Sequence, residues 1–272
     1  MKLQLVRHLW GIDLPNEQSF PKIQAEGFTA IESPMPEAAK EDAFRALLAQ
    51  HKFDYIAMAF TGGATVDAHV KSFDAQVRRA KAMGSTKLTC HSGSDAWGPA
   101  EGAAYFEQAI AIEREVGLPV GHETHRGRQL FNPWQARDLL ERFDALNLCC
   151  DYSHWVCVAE RLLGDCGPIL ELAASRCVHL HARVGYDEGP QVPDPSAPEY
   201  AAHLAAHESW WDAIWRAQRG KGVAVSTLTP EFGPPGYLHT LPHTNVPVAD
   251  LWKICKWVAD RQAERFAALS LG

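Results

Sequence analysis

The sequence has no surplus of positive charge. Its 26 Lys and Arg stand against 33 Asp and Glu, a formal net charge of −7. A nucleic-acid partner would favour a basic face, so the balance speaks against one. Long apolar runs are also missing: no stretch approaches the length that spans a bilayer. Charge in "MKLQLVRHLW" interrupts any signal-peptide core. No CxxC pair occurs among the seven cysteines. Their odd number and apolar surroundings read as reduced, buried thiols of a cytoplasmic protein. The first apolar run is followed by "RHLWGIDLP" rather than a Gly-rich turn, which argues against a doubly wound dinucleotide fold. A phosphate cup is not evident either, since "RGKG" (219–222) precedes the last apolar run.

What is present is alternation. Eight short apolar runs, "LQLVRH" (3–8), "FTAIES" (28–33), "FDYIAMAF" (53–60), "TKLTCH" (86–91), "LPVGHE" (118–123), "NLCCD" (147–151), "RCVHLH" (176–181) and "VAVSTLTPE" (223–231), read as strands. Amphipathic segments follow them near 16–26, 38–51, 66–83, 99–116, 132–146, 160–174, 201–218 and 248–269. Asn132 before Pro133 is a helix-start signal, and Gly84 and Gly117 are stop signals. No linker or composition break divides the chain. Eight βα units of this spacing predict one (β/α)8 TIM barrel domain over 1–272.

In such a barrel, chemistry gathers at the C-terminal ends of the strands. Strand five ends in Glu123, six in Asp151, seven in His181 and eight in Glu231. Four consecutive strands thus finish on potential metal ligands. His179 and His181 face the same side, and His181, nearer the mouth, is the chosen ligand; the alternative stays open. Two glutamates, an aspartate and an imidazole without thiolate form a hard O/N set suited to Mn2+, Mg2+ or Co2+. A cation chelated by adjacent substrate oxygens acidifies the intervening C–H and stabilises an enediolate. One of Glu123 and Glu231 then takes the proton and the other returns it.

These segments carry a resemblance. "GHETHRGR" with Glu123, "DYSHW" with Asp151 and His154, "HLHARVG" with His181, "TPEFGP" with Glu231 and "CHSGSDAW" with His91 are similar to the xylose-isomerase-like barrel family. That family includes sugar isomerases and epimerases, inosose dehydratase and the AP endonuclease family 2 (endonuclease IV) group. The resemblance implies a divalent metal, proton-shuttling carboxylates and a small sugar-like substrate. It also implies that His154 contacts substrate. Arg183 follows His181 after two residues, closer than the arginine of the ketose epimerases, which bears on substrate class.

Around this set, His8, His91, His125, Arg126 and Arg183 are candidate substrate contacts, and the two arginines would hold a carboxylate or hydroxyls or pair with the site acids. Trp10, Phe60 and Trp97 are candidates for an apolar wall. Trp210, Trp211 and Trp215 lie on a helix, which points to core or subunit contact. Two proline-rich loops, after strands seven and eight, are candidate lids. The leading expectation is a metal-dependent isomerase or epimerase acting through a metal-bound enediolate. A metal-dependent dehydratase comes second, ahead of an endonuclease IV-like phosphodiesterase or a non-catalytic sugar-binding barrel. A homo-oligomer is compatible with all four.

Overall fold

Eight parallel strands close on themselves in chain order, β1 through β8, with β1 hydrogen-bonded to β8. The computed structural model describes residues 1–270. The strands are β1 (Lys2–His8), β2 (Ala30–Pro34), β3 (Asp54–Phe60), β4 (Lys87–His91), β5 (Val120–Glu123), β6 (Leu148–Cys150), β7 (Cys177–His181) and β8 (Val225–Thr229). The helices are α1 (Asn16–Ala25), α2 (Glu41–His51), α3 (Val66–Ala82), α4 (Pro99–Val116), α5 (Pro133–Arg142), α6 (Tyr152–Ala159), α7 (Gly167–Arg176), α8 (Ala201–Gly220) and α9 (Leu251–Ser270).

Local signals set several boundaries. The Thr65 hydroxyl accepts from the Ala68 N–H and starts α3, and Asn132 accepts from the Gln135 N–H and starts α5. Gly117 takes the left-handed conformation (φ 65°) that ends α4. The helix expected near 160–174 starts only at Gly167 (α7), after a break, and a separate helix that was not expected, α6, fills Tyr152–Ala159. Asp151 caps α6 directly at the strand end, and Glu160, at φ 51°, ends it before α7 begins. Length alone did not reveal that break, because Tyr152–Ala159 reads as a continuation of an apolar run.

The main core lies between barrel and helices, where Phe20, Phe73, Phe106, Trp155 and Trp211 are all buried. Trp211 and Trp215 are therefore core residues. The barrel interior is different. Among the described residues its separate apolar cluster is Val6, Ala30 and Ile56. Above that sit polar side chains, Glu32, Thr89, His179, Thr227 and Thr229, all buried. Buried polar groups need partners to be tolerated, and these bond to one another. Lys87 Nζ donates to the Val178 carbonyl at 2.6 Å and to Thr227 Oγ1 at 2.9 Å. At Gly121 a Cβ would come within 2.9 Å of the Cys149 backbone nitrogen, so only glycine lets β5 and β6 approach this closely. All seven cysteines are free thiols.

Candidate metal centre

Four strand ends converge. Glu123 closes β5, Asp151 follows β6, His181 closes β7 and Glu231 lies just past β8. Each offers a ligand atom, all of these lie within 4.8 Å of one another, and all four residues are buried. His181 Nδ1 is 3.0 Å from Glu231 Oε2 and 3.4 Å from Glu123 Oε1. Strand alternation explains the inward aim of Glu123, because its neighbour His122 points to the helix layer, between Phe73 and Phe106.

The other face of His181 meets a residue that sequence reading missed. Glu32 on β2 receives the His181 Nε2–H, with oxygens at 3.0 and 3.1 Å. Its carboxylate also accepts from Thr89 Oγ1 and Thr229 Oγ1, both at 2.5 Å. His179 Nε2 lies 3.1 Å from the same carboxylate, and its Nδ1 contacts Thr227. The structure thus separates the two histidines: His179 belongs to the polar layer beneath the site, and His181 presents Nδ1 to the acids. A carboxylate that binds one imidazole nitrogen and so orients the other is the usual outer partner of a metal-ligating histidine. An acid two residues after Ala30 in an apolar strand was the available signal.

Asp151 has two duties. Its Oδ1 accepts from the Ser153 N–H at 3.0 Å, so it is an N-cap as well. Its Oδ2 pairs with Arg183 Nη2. Arg183 also lies 3.3 Å from Glu231 Oε2 and 2.6 Å from His154 Nε2. Burial, reinforced by Glu231 and Glu123 and opposed by Arg183, pushes the Asp151 carboxyl up to about 6. Crowded acids of this kind favour a cation among them.

A row of imidazoles edges the site. His91 stacks near His125 (4.3 Å between centroids), and His125 near His154 (4.0 Å). His91 Nε2 is 2.6 Å from Glu123 Oε2. Burial lowers His125 to about 3 and holds His154 well below its usual value, so both rings are neutral. His91, Glu123 and His125 form a second group of potential ligand atoms that shares Glu123 with the first. His8 lies apart, buried with Nε2 3.6 Å from the Cys255 thiol.

Above the cluster is a cavity of about 350 Å³ lined by Trp10, Met58, Phe60, His125, Arg183 and Tyr237, among others. Tyr237, from the loop after β8, lies under the guanidinium groups of Arg126 and Arg183, at 5.1 and 5.0 Å. Trp97 is not part of this wall; it packs on His69, 4.7 Å away. The two long loops are tied together. Gln191 Nε2 donates to the Gly233 carbonyl at 3.1 Å, and its Oε1 accepts the Gly233 N–H at 2.6 Å. A Cβ at Gly233 would meet the Trp10 ring at 2.2 Å, so glycine there lets the ring lie against the loop.

The donor set fits a divalent ion. Both Glu123 oxygens, His181 Nδ1 and Glu231 Oε2 are buried in close ion-pair contact but without a well-directed hydrogen bond. Such atoms are costly unless something of opposite charge holds them together. Three carboxylates and one imidazole match a hard, oxygen-preferring dication. Among the described residues, no helix is long and apolar enough to cross a membrane.

Comparison with known proteins identifies the fold. The family pattern described as "Xylose isomerase-like TIM barrel" matches residues 20–189. Curated proteins return no match. Among solved structures, a xylose isomerase-like TIM barrel protein from Mycobacterium smegmatis in complex with magnesium superposes with TM-score 0.65 at 11% identity, covering 98% of this chain and 97% of that one. The 3-keto-D-glucoside 4-epimerase of E. coli gives TM-score 0.64 at 10% identity, covering 97% and 100%. A probable 3-DHS dehydratase from Bacillus anthracis gives 0.62 at 13% identity, covering 96% and 99%. At these identities the likeness is one of fold.

Proposed function

This chain belongs to the xylose isomerase-like TIM barrel family, and from that footing we propose that it is a divalent-metal-dependent isomerase or epimerase of a small sugar or hydroxy-carbonyl compound. The observation that carries this reading is the convergence of ligand atoms of Glu123, Asp151, His181 and Glu231, all within 4.8 Å of one another, beneath a small cavity.

Those four residues would hold the ion. When bound, it supplies positive charge that acidifies a C–H flanked by two substrate oxygens. The chain does the rest. Glu231 lines the cavity and is steadied by Arg183, so it is set to take that proton. Glu123, with Oε2 against His91 Nε2, is set to return a proton that the His91 imidazole passes to it. Neutral His125 and cationic Arg183 line the cavity and offer hydrogen bonds to substrate oxygens, with His154 behind them against Arg183. Tyr237 and Trp10 roof the cavity and exclude water.

Dehydration is the second reading, favoured by His91, whose Nε2 beside Glu123 sits where it could protonate a departing hydroxyl. Both readings begin with proton abstraction. Incubation with ketose and hydroxy-keto-acid panels in D2O tests them: deuterium entering a C–H next to a carbonyl supports the shuttle, and its absence across the panels overturns it. A product lighter by one water selects the dehydratase.

A further inference from the structure

The cavity over the four ligands has two unlike halves, and the division follows strand order. The C-terminal ends of β1, β2 and β3 contribute Leu9, Trp10, Pro34, Met58 and Phe60. The later strands contribute His91, His125, Arg183 and Glu231. The polar groups that the first strands do carry near the site do not line this cavity. Glu32 is held by two threonines and two histidines, and His8 Nε2 faces the Cys255 thiol while its buried Nδ1 has no hydrogen-bond partner. The first half is therefore a hydrocarbon wall, with Trp10 braced edge-on by Tyr237 at 5.0 Å.

This division constrains the ligand. A hydroxyl pressed against the wall would lose water and gain no partner. C–H surface there gains by leaving water and by contact with the aromatic rings. An open-chain polyol carries a hydroxyl on nearly every carbon and turns them all to one side only by giving up torsional freedom. A ring can carry its oxygens along one edge and leave the opposite edge as C–H. We infer that the substrate is a ring-closed α-hydroxyketone, oxygens towards β4–β8 and bare hydrocarbon edge against the wall of β1–β3. This rests on the proton-shuttle reading above, which requires the carbon next to the carbonyl to face Glu231 and Glu123.

The test uses two α-hydroxyketones that differ in this respect. Adipoin is a cyclohexane ring with both oxygens on one edge, and L-erythrulose is a ketose too short to close. Each is titrated calorimetrically into the manganese-loaded protein, and each is followed by NMR for deuterium uptake in D2O. Adipoin is expected to bind about tenfold more tightly. Phe60→Ala and Trp10→Ala are expected to erase that preference; both side chains are more than a third exposed, so truncation leaves the core intact. Equal or tighter binding of erythrulose overturns the ring assignment and leaves the shuttle standing if exchange occurs. A retained preference in both variants also overturns the assignment of the wall. Preferential adipoin binding with no exchange in either compound supports the ring assignment and counts against the shuttle. Binding of neither overturns both.

Discussion

Glu32 and His181 face each other at 3.0 Å across the barrel interior, and the bond leaves Nδ1 of the same ring aimed at Glu123 and Glu231. One carboxylate thereby selects which imidazole nitrogen carries the proton. Replacing it should act on the ion rather than on substrate. Glu32→Gln is expected to weaken Mn2+ binding by about 10–100-fold, read by calorimetry. Unchanged affinity would remove Glu32 from the site.

The two glutamates should behave differently from their outer partner. Glu231→Gln keeps the size of the side chain and the Arg183 neighbour but cannot accept the proton. A loss of roughly 10²–10⁴-fold in solvent exchange is expected, with folding retained by circular dichroism. Glu123→Gln should cost as much and also weaken the ion, since both its oxygens face potential partners at the cluster.

Arg183 and a dication act on the same acids. Arg183→Met leaves Asp151 and Glu231 without their guanidinium. Breaking a buried pair this way costs about 3–5 kcal/mol, so the metal-free melting temperature should fall. Added Mn2+ should recover more of it than in the wild-type protein. A thermal-shift series with and without Mn2+ decides, and an equal metal response in both proteins contradicts the idea.

Metal content separates the readings of the overlapping ligand groups, of which Cys149, His179 and His181 form a third that shares His181 with the first. About one ion per chain is expected by elemental analysis, held by Glu123, Asp151, His181 and Glu231. Two ions per chain would mean that His91, Glu123 and His125 are filled too, and would strengthen the phosphodiesterase alternative.

His207 predicts acid sensitivity away from the ligands. Its Nδ1–H donates to the His203 carbonyl at 2.8 Å, and Nε2 accepts from the Gly185 N–H at 3.2 Å, at the root of the loop after β7. Burial lowers it from 6.5 to about 4. A depressed histidine favours the folded state above the unfolded value and loses that advantage as pH falls. Stability should therefore be full above about pH 6.5 and decline towards pH 4 by about 3 kcal/mol. Urea unfolding at several pH values measures this, and His207→Gln should flatten the dependence.

The barrel was legible because its signals are local. Strand and helix periods, caps at Asn132 and Gly117, and acids and imidazole at successive strand ends all lie within a few residues of one another. The short helix α6 was not, because capping by Asp151 depends on where β6 stops. Trp97 was grouped with Trp10 and Phe60 by residue type, yet its loop folds it towards His69.

The order of residues determined which strand ends carry chemistry and which are bare hydrocarbon, since alternation and βα spacing are properties of the chain. Tertiary closure alone decided which of those groups meet. It set His181 rather than His179 beside the acids, laid Arg183 between Asp151 and Glu231, and brought Glu32 from the far side of the barrel to the back of an imidazole 149 residues away. Such pairings arise from curvature and register around eight strands, which no local window of sequence encodes.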